Sequence, residues 1–139
     1  MPTTLSLAVA TELITSARLR AQSLGLLVSV AIVDSGGHLI SFSRMDGAEI
    51  AGPTLAVDKA YTAVAQSTST AELAILAAPG GDLFGLHANG NGRYVIFGGG
   101  IPLRIGDTIV GGIGVSGATS LHDDLCAQAG VERFTELSA

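Results

Sequence analysis

Between Phe97 and Ala118 the sequence FGGGIPLRIGDTIVGGIGVSGA sets eight glycines inside what otherwise reads as two apolar, β-branched strands. Glycine in a strand interior loses conformational entropy and offers nothing to pack, so its repetition implies that something approaches the backbone very closely. Ile101 to Ile105 and Thr108 to Val115 are the strand runs, joined at Gly106-Asp107, a pair suited to a tight antiparallel turn. Alternation puts Gly111, Ile113, Val115 and Gly117 on one face of the second run and Gly112, Gly114 and Ser116 on the other. That second face is nearly bare, so a helix backbone or a ligand can lie directly on it.

Gly112, Gly114 and Gly117 also spell G-x-G-x-x-G after a strand. Dinucleotide binding would need a further strand and an acidic residue about 20 positions on. Glu132 stands near that distance, but only seven residues follow it, so a structural use of the glycines is the better reading.

The remaining elements follow from periodicity and punctuation. Leu5 to Leu24 has an apolar stripe at helical spacing, with Thr3, Thr4 or Ser6 as cap and Gly25 as terminator. Leu26 to Val33 and His38 to Met45 form a hairpin around Asp34-Ser35-Gly36-Gly37. Thr54 to Gln66 is a helix of small residues behind Pro53, and Ser69-Thr70-Ala71-Glu72 caps a shorter one that Pro79-Gly80-Gly81 ends. Asn89-Gly90-Asn91-Gly92 marks a loop, Tyr94 to Phe97 a further strand, and Ser120-Leu121-His122-Asp123 a capping box opening a last helix that Gly130 ends. The order is helix, two strands, helix, three strands, helix. Short turns between strands imply an antiparallel sheet covered by helices, hence one α+β domain over residues 1–139.

Only 14% of residues are charged, against roughly 25% in ordinary soluble domains, so the surface is expected to be partly buried in a homo-oligomer. A net charge of −5 with one lysine and six scattered arginines leaves no basic patch for nucleic acid or anionic membranes. No apolar run reaches the roughly 18 residues of a membrane helix. The N-terminus lacks the positive start of a secretory signal, and the single cysteine has no internal partner. A cytoplasmic location is expected.

The runs VAIVDSGGHLISFSRMDGA, DKAYTA and GGGIPLRIGDTIVGGIGVSGA, with Asp123 shortly after, resemble the GlcG/HbpS family, also called the DUF336 or haem-degrading-domain family. The resemblance spans nearly the whole chain. It implies a three-layer α/β/α, profilin-like fold with a five-stranded antiparallel sheet, in the order α-β-β-α-β-β-β-α, and assembly into higher oligomers. Haem binding belongs to some members; others are encoded beside glycolate, glycerol or diol utilisation enzymes.

Few residues carry chemistry. Lys59, the only lysine, lies in a motif of the resemblance; it is either an anion clamp or base facing a cleft, or a lysine paired with Asp58. Arg44 and Asp46 form either an ion pair or a carboxylate-recognising fork beside a general base. Haem takes an axial ligand from His, Cys, Met or Tyr, and of the three histidines His87 is the leading candidate because a loop can close over a cofactor; His38, Met45 and Tyr61 follow. Gly99, Gly100, Pro102, Gly112 and Gly114 would supply the cofactor's floor. His122 reads as exposed and Cys126 as a core residue. No histidine pair has zinc spacing, so no metal site is expected. Two functions stay open: a small-molecule-binding protein for haem, another tetrapyrrole or a small organic acid, associated with small-molecule catabolism, and a cofactor-free isomerase or lyase with Lys59, Asp46 and Arg44 at its site.

Overall fold

A computed structural model describes residues 5–139; the cap candidates Thr3 and Thr4 lie outside the described residues. Helix α1 spans Leu7–Ser23 and buries Ala10, Leu13, Ile14, Ala17 and Ala21. The Ser6 hydroxyl caps it by accepting the Val9 N–H at 3.2 Å, and Gly25, at φ +71°, turns the chain out of it. Strands β1 (Ser29–Asp34) and β2 (Leu39–Arg44) form the first hairpin. Its turn is held by Asp34 Oδ1, which accepts the N–H groups of Gly36 and His38 at 2.9 Å each. Those bonds, the His38 one foremost, hold the Asp34 carboxyl below the usual range.

Helix α2 (Gly52–Ala65) carries Pro53 in its first turn, and α3 (Thr70–Leu76) is capped by the Ser69 hydroxyl. Irregular chain with two 3-10 turns, Leu86–Ala88 and Gly90–Gly92, leads to β3 (Gly100–Ile105), β4 (Thr108–Ser116) and α4 (Ser120–Ser138). The sheet is antiparallel throughout, in the order β2-β1-β4-β3.

Four strands form, where the sequence and the family resemblance point to five, and the element order is α-β-β-α-α-β-β-α. Tyr94 to Phe97 is not a strand because its hydrogen bonds go elsewhere. The Val95 N–H is taken by the hydroxyl of buried Thr62 at 3.0 Å, and Gly99 at φ +128° bends the chain before β3 begins. Two end signals also differ. Thr119, rather than Ser120, caps α4 by accepting the His122 N–H. Gly130 lies inside that helix, where a Cβ would collide with the Ile113 side chain, so it serves close packing and not termination.

Three layers result. Val30, Ile32, Leu103, Ile113 and Val115 meet α1 and α4 through Leu13, Ala17, Cys126, Ala127 and Phe134. On the opposite face α2 lies on Gly112 and Gly114. A Cβ at Gly114 would collide with the Ala56 carbonyl and stand 2.6 Å from the Ala60 nitrogen; one at Gly112 would stand 2.7 Å from the Ala60 carbonyl oxygen. The bare face therefore holds a helix backbone. Pro102 pairs with Gly112 in edge strand β3, where a missing N–H is tolerated.

Candidate functional site

Lys59 is drawn inward. It sits on the sheet side of α2, fully buried, and its Nζ donates to the Val115 carbonyl at 2.9 Å and to Asp123 Oδ2 at 3.0 Å. The other Asp123 oxygen accepts the Ala118 N–H at 2.8 Å. Phe97 covers the ammonium, its ring centroid 5.1 Å away. A Cβ at Gly99, whose φ is +128°, would strike the Val115 carbonyl and come within 2.8 Å of Nζ, and one at Gly100 would strike the Lys59 carbonyl. Burial pushes the Lys59 pKa down, opposed by the neighbouring Asp123 charge, and pushes the Asp123 carboxyl up, opposed by Lys59. The partner is thus Asp123, 64 positions away, while Asp58 binds Arg93 Nε at 2.9 Å. Nothing in local spacing announces a pair so distant; a strand-end motif followed by an acidic helix start is its only trace.

Around this pair the chain turns at one end of the sheet, and two cavities open there side by side. One, of about 460 Å³, is lined by Arg18, Gln22, Leu27, Ser43, Arg44, Met45 and Asp46. The other, of about 470 Å³, lies between Leu26-Leu27, Gly47 to Glu49, and Gly117 to Thr119 with His122. Leu27, 48% exposed, lies between them. Arg44 and Asp46 share the first cavity, and the ion pairs among the described residues do not include one between them. His122 lines the second; its Nδ1 lies 3.0 Å from the Thr119 hydroxyl and its Nε2 has no partner among the described residues.

The other candidates lie apart. His87 is exposed on the 3-10 turn, and His38 is tied to Asp34 at 3.4 Å with its side chain 83% exposed. Tyr61 stacks on the Arg93 guanidinium, 3.7 Å from its centroid, and on Tyr94. Gly112, Gly114 and Pro102 lie on the face that α2 covers. Burial pushes the Cys126 thiol up to about 11, so it carries no thiolate chemistry at neutral pH. Among the described residues no three His, Cys, Asp or Glu side chains converge to hold a metal ion, and no helix is long and apolar enough to cross a membrane.

Known proteins resemble this chain in sequence and fold. A family model described as "Haem degrading protein HbpS-like" matches residues 5–132. An uncharacterized 15.0 kDa protein of the dhaT-dhaS intergenic region of Citrobacter freundii is 34% identical over 134 residues, covering 96% of this chain and 94% of that one. The corrinoid adenosyltransferase PduO of Salmonella typhimurium is 40% identical over 112 residues, 81% of this chain, which spans only 33% of that relative. Among solved structures, protein ORFY of Klebsiella pneumoniae superposes with a TM-score of 0.92 at 31% identity, covering 97% of this chain and 93% of that one. A complex of PduOC with haem gives 0.90 at 37% identity, covering 94% and 95%. A double mutant of Streptomyces reticuli HbpS gives 0.85 at 34% identity, covering 95% and 88%. With its motifs, its fold and nearly its full length matched, this chain belongs to the HbpS-like family, the GlcG/DUF336 group.

Proposed function

We propose that this protein binds haem or a related tetrapyrrole in the paired cavities at the end of the sheet, as a self-associating ligand carrier serving small-molecule catabolism. One observation carries the reading: His122 lines a cavity, with its ring steadied at Nδ1 and its Nε2 unpartnered among the described residues, whereas His87 and His38 are exposed. An anchored imidazole with one open nitrogen is the usual form of an axial ligand. The cavity volumes suit a prosthetic group. Arg18 and Arg44 in the adjoining cavity would pair with acidic substituents, and Leu27 offers an apolar wall. Haem, when bound, would supply the redox or ligand-binding chemistry; the chain's part is to hold and orient it. The haem complex of PduOC, at 37% identity, supports this choice of ligand class.

The isomerase or lyase reading has less support. Lys59 is sealed under Phe97 and tied to Asp123, which leaves it no path to a substrate. Haem titration tests the proposal. A Soret band shifted from free haem should appear, weaken strongly in His122→Ala, and persist in His87→Ala. A free-haem spectrum throughout, or a His122→Ala protein that binds as the parent does, would overturn it.

A further inference from the structure

A different surface, on the outer side of α2, has the makings of a second site. Helix α2 sits over β1, β4 and β3, so the face that β2 turns toward it is left partly uncovered. Phe42 and Leu39, 36% and 51% exposed, form with Pro53, Thr54, Val57 and Asp58 a groove of about 390 Å³. Its apolar floor ends at Asp58, and Asp58 holds Arg93 by a single bond to Nε.

That bond leaves both Nη groups of Arg93 without a partner among the described residues, on a side chain 38% exposed. The guanidinium is nevertheless fixed. Tyr61 supports its plane at 3.7 Å, and the backbone beside it is anchored where Thr62 accepts the Val95 N–H and donates to the Asp58 carbonyl. A planar fork held at Nε and open at its two ends matches the two oxygens of a carboxylate. Arg93 does not itself line the groove but adjoins it through Asp58, which does, and the groove matches an apolar chain or ring.

We propose that this groove binds a small organic acid with an apolar body, its carboxylate taking Arg93 Nη1 and Nη2 while its alkyl or aryl part lies on Phe42, Pro53 and Val57. Asp58 both orients the fork and offsets part of its charge, so a carboxylate without an apolar body binds weakly. Octanoate should bind, whereas acetate, which lacks the body, and octanol, which lacks the head, should bind far more weakly. This inference is independent of haem and uses none of the residues at the sheet end.

Calorimetric titration with octanoate, acetate and octanol is the test. Loss of the bidentate contact in Arg93→Gln should weaken octanoate at least about tenfold while barely changing octanol. Phe42→Ser, a substitution at a half-exposed position that keeps the Arg93–Asp58 pair, should weaken octanoate and octanol alike, and His122→Ala should change neither. Equal affinity for octanoate and octanol, or an Arg93→Gln protein that holds octanoate as the parent does, would overturn the proposal. So would octanoate failing to bind while Phe42→Ser lowers the molecular mass in solution, which would make the groove a contact between copies of this chain.

Discussion

A lysine and an aspartate with almost no solvent between them, Lys59 and Asp123, place two opposed demands on the fold. Each loses hydration, and each recovers part of it from the other and from the Val115 carbonyl and Ala118 N–H. Lys59→Met should therefore cost about 3–5 kcal/mol, because Asp123 is left charged and buried. Lys59→Met with Asp123→Asn should recover most of that loss, since asparagine still accepts from Ala118 and carries no charge. The pH dependence follows from the two directions. Asp123, raised in the fold, contributes stability below its unfolded value of 3.8 that is lost as pH rises through the folded value. Lys59, lowered in the fold, contributes stability above its unfolded value of 10.5 that is lost as pH falls through the folded value. Between those limits both contributions are lost and the fold carries the cost of burying two charges, so the parent's stability should fall as pH rises above 3.8 and as it falls below 10.5, and thermal melts of the double variant across that span should be flatter than the parent's. Equal curvature in both would show that the pair does not titrate on unfolding. The sequence marks Lys59 as unusual but points to Asp58, because neighbours along a helix are visible in a sequence and a partner 64 positions away is not.

Among the elements, the seam between α2 and β4 is the tightest. Its Gly112 and Gly114 face backbone atoms of Ala56 and Ala60, so relief cannot come from a rotamer change. Gly114→Ala should lose more than the about 1–3 kcal/mol typical of an overpacked core. Gly106→Ala, in a turn where a Cβ meets nothing within 4 Å but φ is +60°, should lose only about 1–2 kcal/mol. Melting the two variants side by side checks this; equal losses would mean that α2 can lift from the sheet. This seam is legible in the sequence as alternating glycines opposite a small-residue helix. The missing fifth strand is not. Tyr94 to Phe97 has strand-like composition, and the distant Thr62 hydroxyl, by taking the Val95 N–H, withdraws it from the ladder before the chain bends at Gly99.

At the scale of the whole molecule, large apolar side chains such as Ile50, Phe84 and Leu121 are 64–93% exposed on a surface with few charges, which supports the self-association proposed above. Light scattering at micromolar concentration should return a multiple of 13.9 kDa; that mass alone would remove the idea. Arg44 and Asp46 were legible as site candidates from their place after a strand. His122 was not, because a histidine in a helix's first turn reads as exposed until two loops from elsewhere in the chain close beside it. Strand order carries a further consequence, for synthesis. Because β1, near the N-terminus, lies between β2 and β4, the middle of the sheet cannot close until Ser116 has left the ribosome. Until then Val30 and Ile32 remain a half-paired apolar row, and the seat of α2 does not yet exist. The growing chain is therefore exposed to misassociation until β4 has emerged to pair with β1.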